Sequence, residues 1–393
     1  MNIPFLFTLI AGLSVGSQGV VFAQNIDATN TLSVNPSPVV KAKYFQHIEG
    51  VPSPKVVDCQ LTDGTNTQCL TLYSKALPDH LQIGPFCPEN INEQGGIWEW
   101  DGEDPGLYRL NGAFFKKLNA LGYRFYDESG NLFITTPGGA APQVRQSAHA
   151  CLEAKLETHV KTTTLIPLYP KQAKQVTDLG TVAKVGLALD GIPVFADAPS
   201  VLQTGQLPAL DECGGHVDPG GYYHWHGTST DIDSSFKHEG VHAHCHLSQS
   251  HSALFAFAFD GFPMYGSAEE DGKLAQGLDE CNGHFGPTKA FPNGIYHYHA
   301  SLTFPNLPKC LKGVQAKDNF KTTAKIGIGS QGNKASAGHG RGQRPDLGKA
   351  AQTLGVSEMA LRQALGGPPP NFQQAAEKLK VSVSQLQKAL GHS

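Results

Sequence analysis

Residues 211–227 read "DECGGHVDPGGYYHWHG", with three histidines, one cysteine and an Asp-Glu pair laced with glycine. Residues 279–301, "DECNGHFGPTKAFPNGIYHYHAS", repeat the plan: Asp-Glu-Cys, then Gly-His, then Tyr-His-aromatic-His. Upstream, "VGLALDGIPVFADA" (185–198) parallels "FAFAFDGFPMYGSA" (255–268). An ordered set of elements that occurs twice marks an internal duplication, spanning residues about 180–310. The apolar runs are short and end at Asp-Gly-x-Pro, a turn signal, so each copy is β-rich. The expected fold is α+β and β-rich, with duplicated β lobes related by a pseudo-two-fold.

On a strand, residues i and i+2 share a face. His224 and His226 then project together, as do His297 and His299. Two imidazoles so placed can share a zinc ion, at Zn–N distances of roughly 2.0–2.1 Å. His216 and His284, each two residues beyond its Asp-Glu-Cys, are the candidate third ligands. Two arrangements compete: a three-histidine site in each copy, or one site shared by both His-x-His strands. Imidazole suits copper and zinc alike, so the expected cofactor is Cu or Zn. Tyr223, Trp225, Tyr296 and Tyr298 fall on the opposite face and are expected to pack the core. The bland alternative is structural: histidines hydrogen-bonded to Asp211, Glu212, Asp279 or Glu280. Asp190 and Asp260 are read as turn formers rather than ligands. Between the copies, "FKHEGVHAHCHLSQSHS" (236–252) alternates His242, His244 and His246, a candidate accessory metal-binding loop or a solvated one. Of 17 histidines, 11 lie from His216 to His299, so the candidate ligands concentrate there. His80 beside Asp79 reads as a surface turn, and the acidic stretch 93–104 lacks the EF-hand pattern.

The chain has 393 residues and a formal net charge of −4, which gives no electrostatic case for nucleic acid or an anionic membrane. Its first 23 residues form an apolar run ending in Val-Phe-Ala, which predicts a cleavable export signal and a secreted or periplasmic protein. No later stretch is long and apolar enough to span a bilayer. Eight cysteines in such a setting predict disulfides. Pairing within each copy gives Cys213–Cys245 and Cys281–Cys310. Of the three connectivities left, Cys59–Cys69 with Cys87–Cys151 is preferred.

The motifs "GYYHWHGTS" and "GIYHYHAS", with "LDECNGHFGPT" and "FAFDGFPMYG", resemble the YHYH domain family of exported bacterial proteins, named for that tetrapeptide. The second copy carries it literally as Tyr296-His297-Tyr298-His299; in the first, Trp225 replaces the second tyrosine. The resemblance covers roughly residues 55–310 and implies a domain and export, with no reaction attached.

Outside the duplication, residues 24–55 read as a flexible lead-in and 56–311 as the YHYH-like domain. Within it, 111–122 has helical spacing, and 123–136 reads as two strands around a Glu-Ser-Gly turn. Residues 312–345 read as a linker. Residues 346–391 hold a second repeat: "DLGKAAQTLGVSEMALRQALG" matches "NFQQAAEKLKVSVSQLQKALG" at a period of 25. Each copy predicts two short helices, with Ser357 and Ser382 as caps. This small α-helical module resembles short Leu-Gly-Val-Ser repeats appended to exported bacterial proteins. It is a candidate contact for a protein or cell-surface partner. The lack of a basic face argues against DNA.

Three functions fit the sequence. The leading one is an exported protein that binds copper or zinc through its paired Tyr-His-x-His motifs. The second is a metal-dependent hydrolase or oxidase using those sites. The third is a non-catalytic extracellular binding or scaffold protein. No G-x-S-x-G, H-E-x-x-H or P-loop is present, so common hydrolase and nucleotide chemistries have no motif support.

Overall fold

The computed structural model describes residues 37–79, 81–100, 102–136, 149–179, 183–196, 201, 205–234, 250–302, 306–330, 347–356, 358–365 and 372–390. The architecture is β-rich, with strands in several sheets and few, short helices.

Both copies of the duplication enter one eight-stranded sheet. The first supplies β1 (Lys184–Ala188), β2 (Pro193–Phe195), β3 (Gly215–Val217) and β4 (Tyr223–Trp225). The second supplies β5 (Leu254–Ala258), β6 (Pro263–Tyr265), β7 (Gly283–Gly286) and β8 (Ile295–His299). The order across the sheet is β3-β4-β2-β1-β5-β6-β8-β7, which reads as the same four-strand plan from either edge. The halves join where β1 and β5 run antiparallel, with Leu187 opposite Phe257 and Gly186 opposite Ala258. At that seam a side chain on Gly186 would meet the Phe257 carbonyl at 2.3 Å, so the close approach needs glycine.

The central strands are buried on both faces, which is why they read as continuous apolar runs rather than alternating ones. Leu187 and Phe257 pack on Leu70, Leu72 and Ile166 of a four-stranded sheet built from Lys55–Gln60, Asn66–Lys75, Lys161–Pro167 and Phe320–Thr322. Aromatic residues of the motif strands, Tyr223, Trp225, Tyr296 and Tyr298, fill the largest core cluster as expected. The Asp-Gly-x-Pro elements turn as expected too. Asp190 and Asp260 accept from the backbone N–H two residues on, at 2.9 and 3.1 Å, while Gly191 and Gly261 take positive φ.

A separate cluster surrounds helix α1 (Gly112–Ala120). Asn111 caps it by accepting from Phe114 N–H, and its buried face carries Phe114, Phe115 and Leu118, as the spacing predicts. The hairpin expected at 123–136 is reduced to a Tyr126–Leu132 bridge and a short strand, Ile134–Thr135. Asp127 holds the turn by accepting from the Ser129 and Asn131 amides.

Two expected boundaries move. The lead-in is built into the fold from Val39, whose N–H donates to Leu168 O at 2.9 Å. Val40 is fully buried, and the Tyr44 and Phe45 rings pack tilted against Phe257, at centroid distances of 5.4 and 5.8 Å. At the other end, residues 312–330 are not linker. Cys310–Gly313 pairs with Gln172–Asp178, and Leu311, Val314, Ala316 and Phe320 are buried. This segment has few large apolar residues, yet Val314, Ala316 and Phe320 face inward. The rest of the expected linker, with the first 36 residues, lies outside the described residues.

The C-terminal repeats form helices α3 (Leu347–Leu354), α4 (Glu358–Leu365), α5 (Phe372–Leu379) and α6 (Val383–Ala389). Successive helices touch, and α6 returns to α3, so the two repeats share one core. Ala350 and Ala351, with their repeat equivalents Ala375 and Ala376, occupy its centre beside Leu361, Leu386 and Leu390. Leu354, Leu365 and Leu379 pack against it, partly buried. Ser382 forms a capping box with Gln385; Ser357 lies outside the described residues.

Candidate metal centres

Antiparallel register builds each histidine cluster. In the first copy His216 of β3 stands directly opposite His224 of β4. In the second, His284 of β7 stands opposite His297 of β8. The cross-strand residue is therefore a third donor on the face that the His-x-His pair already shares. The second histidine of each pair is fixed by its own amide: His226 N–H donates to Gly214 O at 2.9 Å and His299 N–H to Asn282 O at 2.8 Å.

The six histidines form two separate groups. One is His216, His224 and His226; the other is His284, His297, His299 and Glu269. In each, one ligand atom per residue lies within 4.8 Å of all the others. Five strand spacings separate β4 from β8. At ~4.8 Å each, that places the clusters about 24 Å apart, too far for one shared ion.

Within the first cluster, His226 Nε2 lies 3.0 Å from His224 Nε2 and 3.1 Å from His216 Nε2. Within the second, His284 Nε2 lies 3.0 Å from His297 Nε2. Glu269 Oε1 lies 3.0 Å from His284 Nε2 and 3.5 Å from His299 Nε2. Ligands on a tetrahedral zinc, at roughly 2.0–2.1 Å from it, are about 3.3 Å from one another. The observed spacing is close to that.

The second cluster also fixes its tautomers. His284 Nδ1 lies 3.2 Å from Gln276 O, His297 Nδ1 3.0 Å from Ile295 O, and His299 Nδ1 2.8 Å from Gly266 O. A carbonyl can only accept, so each Nδ1 carries a proton; His297 and His299 then aim Nε2 lone pairs inward, while His284 Nε2 faces the Glu269 carboxylate. Burial holds His297 down to about 4 and pushes His299 below its ordinary value, so neither ring gains a second proton at neutral pH. Facing lone pairs beside a carboxylate repel one another unless a cation lies among them.

The His-x-His pair of the first cluster is about as buried as that of the second, where His297 and His299 are each 1% exposed. His224 and His226 are 2% and 3% exposed, and the His224 ring packs on Phe195 at 4.6 Å. Burial pushes both well below the ordinary histidine value, with neighbouring histidines adding to the shift. Burial likewise takes His216 to about 4.

The acids of the motif serve the aromatic residues rather than the histidines, contrary to the structural alternative weighed from the sequence. Tyr223 OH donates to Asp211 at 2.9 Å, and Tyr296 OH donates to Asp279 at 3.0 Å. Trp225 Nε1 donates to Asp190 at 3.2 Å, and Tyr298 OH to Asp260 at 2.6 Å. Asp211 and Asp279 also accept from the amides of the turn that follows, at Cys213 and Gly215 and at Cys281 and Gly283. Each acid thus ties a turn to an aromatic of the histidine strand. Burial raises Asp211 to about 6, whereas Asp279, also bonded by Lys312, is held below its usual range. Glu212 pairs with Arg109, and Glu280 lies 3.5 Å from Lys312.

Sequence reading missed Glu269. Counting the two copies against each other places Pro199 where the second has Glu269, so this donor is not among the elements the copies share. It also missed a buried polar knot: Asp231, on helix α2 (Ser229–Ser234) just after the first motif, contacts His251 Nδ1 at 2.6 Å and accepts from Ser267. Cys59–Cys69, Cys87–Cys151 and Cys281–Cys310 are disulfides. Cys213 is disulfide-bonded as well; its expected partner Cys245 lies outside the described residues, as do His80, His242, His244 and His246.

The family model described as YHYH protein matches residues 163–274 and 269–313, so the chain carries a YHYH domain from 163 to 313. That span contains the whole eight-stranded sheet and both histidine clusters. No curated protein and no solved structure matches the chain.

Proposed function

We propose that this YHYH-domain protein binds transition metal, copper or zinc, at two separate sites. One ion is held by His216, His224 and His226. The other is held by His284, His297 and His299 with Glu269. The observation that carries this reading is the second cluster's arrangement: three Nδ1 atoms face backbone carbonyls, so three Nε2 atoms converge beside a carboxylate. Outer carbonyls that orient ligating imidazoles are the usual supporting shell of a metal site.

Export is the second part of the reading. It is supported by the apolar N-terminal run and by disulfides, which persist in oxidising compartments. Among the described residues, no helix is long and apolar enough to cross a membrane. The helical C-terminal module is then the segment that contacts a protein or cell-surface partner. Elemental analysis of protein purified from the exported fraction tests the metal reading. Bound copper or zinc is expected. Protein that stays metal-free after incubation with both ions would overturn it.

A further inference from the structure

The two clusters differ in charge. The first offers three imidazoles and, among the described residues, no carboxylate within ligand distance. The groups acting electrostatically on His224 and His226 are other histidines. The second adds Glu269 as a donor, and both Glu269 and Asp231 act on His299. The His-x-His rings are almost fully buried in both clusters, His224 against Phe195 and Tyr222, and the Glu269 side chain of the second is 32% exposed. A divalent ion among three neutral rings in that dry setting leaves two positive charges uncompensated, and burying unpaired charge is costly. A monovalent ion leaves one. In the second cluster the Glu269 carboxylate cancels one charge of a divalent ion, and carboxylate oxygen suits such ions. By sequence count Pro199 stands at the position matching Glu269.

We propose that the clusters discriminate by charge: the first takes copper(I), and the second takes a divalent ion such as zinc. This rests on the metal-binding reading above. The test uses the full chain with its disulfides intact, loaded anaerobically with zinc(II), with copper(I) kept reduced by ascorbate, and with both together. Bound metal is counted after gel filtration. Mixed loading is expected to leave one copper and one zinc per chain. Glu269→Gln is expected to weaken zinc binding by at least the roughly 10–100-fold that loss of an outer-shell partner costs, and to leave copper(I) affinity unchanged. Zinc occupying both sites in the presence of copper(I), or Glu269→Gln weakening both metals alike, would overturn the discrimination while leaving the metal reading intact. Binding of neither metal would overturn both.

Discussion

Tyr298→Phe isolates the contact that ties the second histidine strand to its neighbours. The Tyr298 hydroxyl donates to Asp260 at 2.6 Å and accepts from the Lys312 amide at 2.7 Å. Asp260 also accepts from the Gly313 amide at 2.8 Å, and both side chains are fully buried. Removing the hydroxyl deletes one hydrogen bond to a buried carboxyl, worth ~1.5–3 kcal/mol, and leaves the Lys312 N–H without its partner, at ~1–3 kcal/mol. Partial relaxation of the loop offsets some of this, so the expected loss is about 3 kcal/mol. Tyr296→Phe is the internal control. Its acceptor Asp279 is part-exposed and keeps the Cys281 and Gly283 amides and Lys312. A loss of about 1 kcal/mol is expected there. Urea unfolding of the metal-free protein, followed by tryptophan fluorescence, measures both. A Tyr298→Phe loss below about 1 kcal/mol, or one no larger than that of Tyr296→Phe, would refute the claim that Asp260 is anchored through this hydroxyl.

Other consequences are as direct. Burial raises Asp260 from 3.8 to about 6 in the folded protein, so the folded state binds that proton more tightly than the unfolded chain. The group's stabilising contribution is full below about pH 4 and is lost as pH rises through 6, about 3 kcal/mol in all. The stability of wild type relative to Asp260→Asn should fall by that amount between pH 4 and 7, read from denaturant midpoints at each pH. Lys380 has φ of 56°, at the position where the first helical repeat has Gly355 at 69°. Lys380→Gly should stabilise the helical module by about 1 kcal/mol in thermal melts, since only glycine adopts that conformation freely. Arg109→Ala leaves Glu212 without its cation partner. It should destabilise the protein by about 3 kcal/mol, by the cost of breaking a largely buried pair.

The local half of this architecture was legible in the sequence. Period-two placement put His224 with His226 and His297 with His299, and the repeat flagged His216 and His284. What placed the third histidines was antiparallel register, a relation between strands that spacing along one strand does not contain. The roles of Asp190 and Asp260 as acceptors for Trp225 and Tyr298 span 35 and 38 residues, so only their turn chemistry was readable. Glu269 stayed hidden in "AEEDG", which reads as a solvated turn. Comparing the copies position by position would have exposed it as a difference rather than a match. The stretch 312–330 was misread because its composition suits a linker. Val314, Ala316 and Phe320 are nonetheless buried, in a segment held by pairing with strands from residues 161–178.

The measurement that bears most directly on the whole account is metal stoichiometry across three proteins: wild type, His224→Ala and His297→Ala. Two independent clusters about 24 Å apart predict two ions per wild-type chain and one in each variant, with the remaining ion bound as tightly as before. A single ion lost in both variants would contradict the separation of the sites. No ion in any of the three would make the converging histidines a structural feature alone.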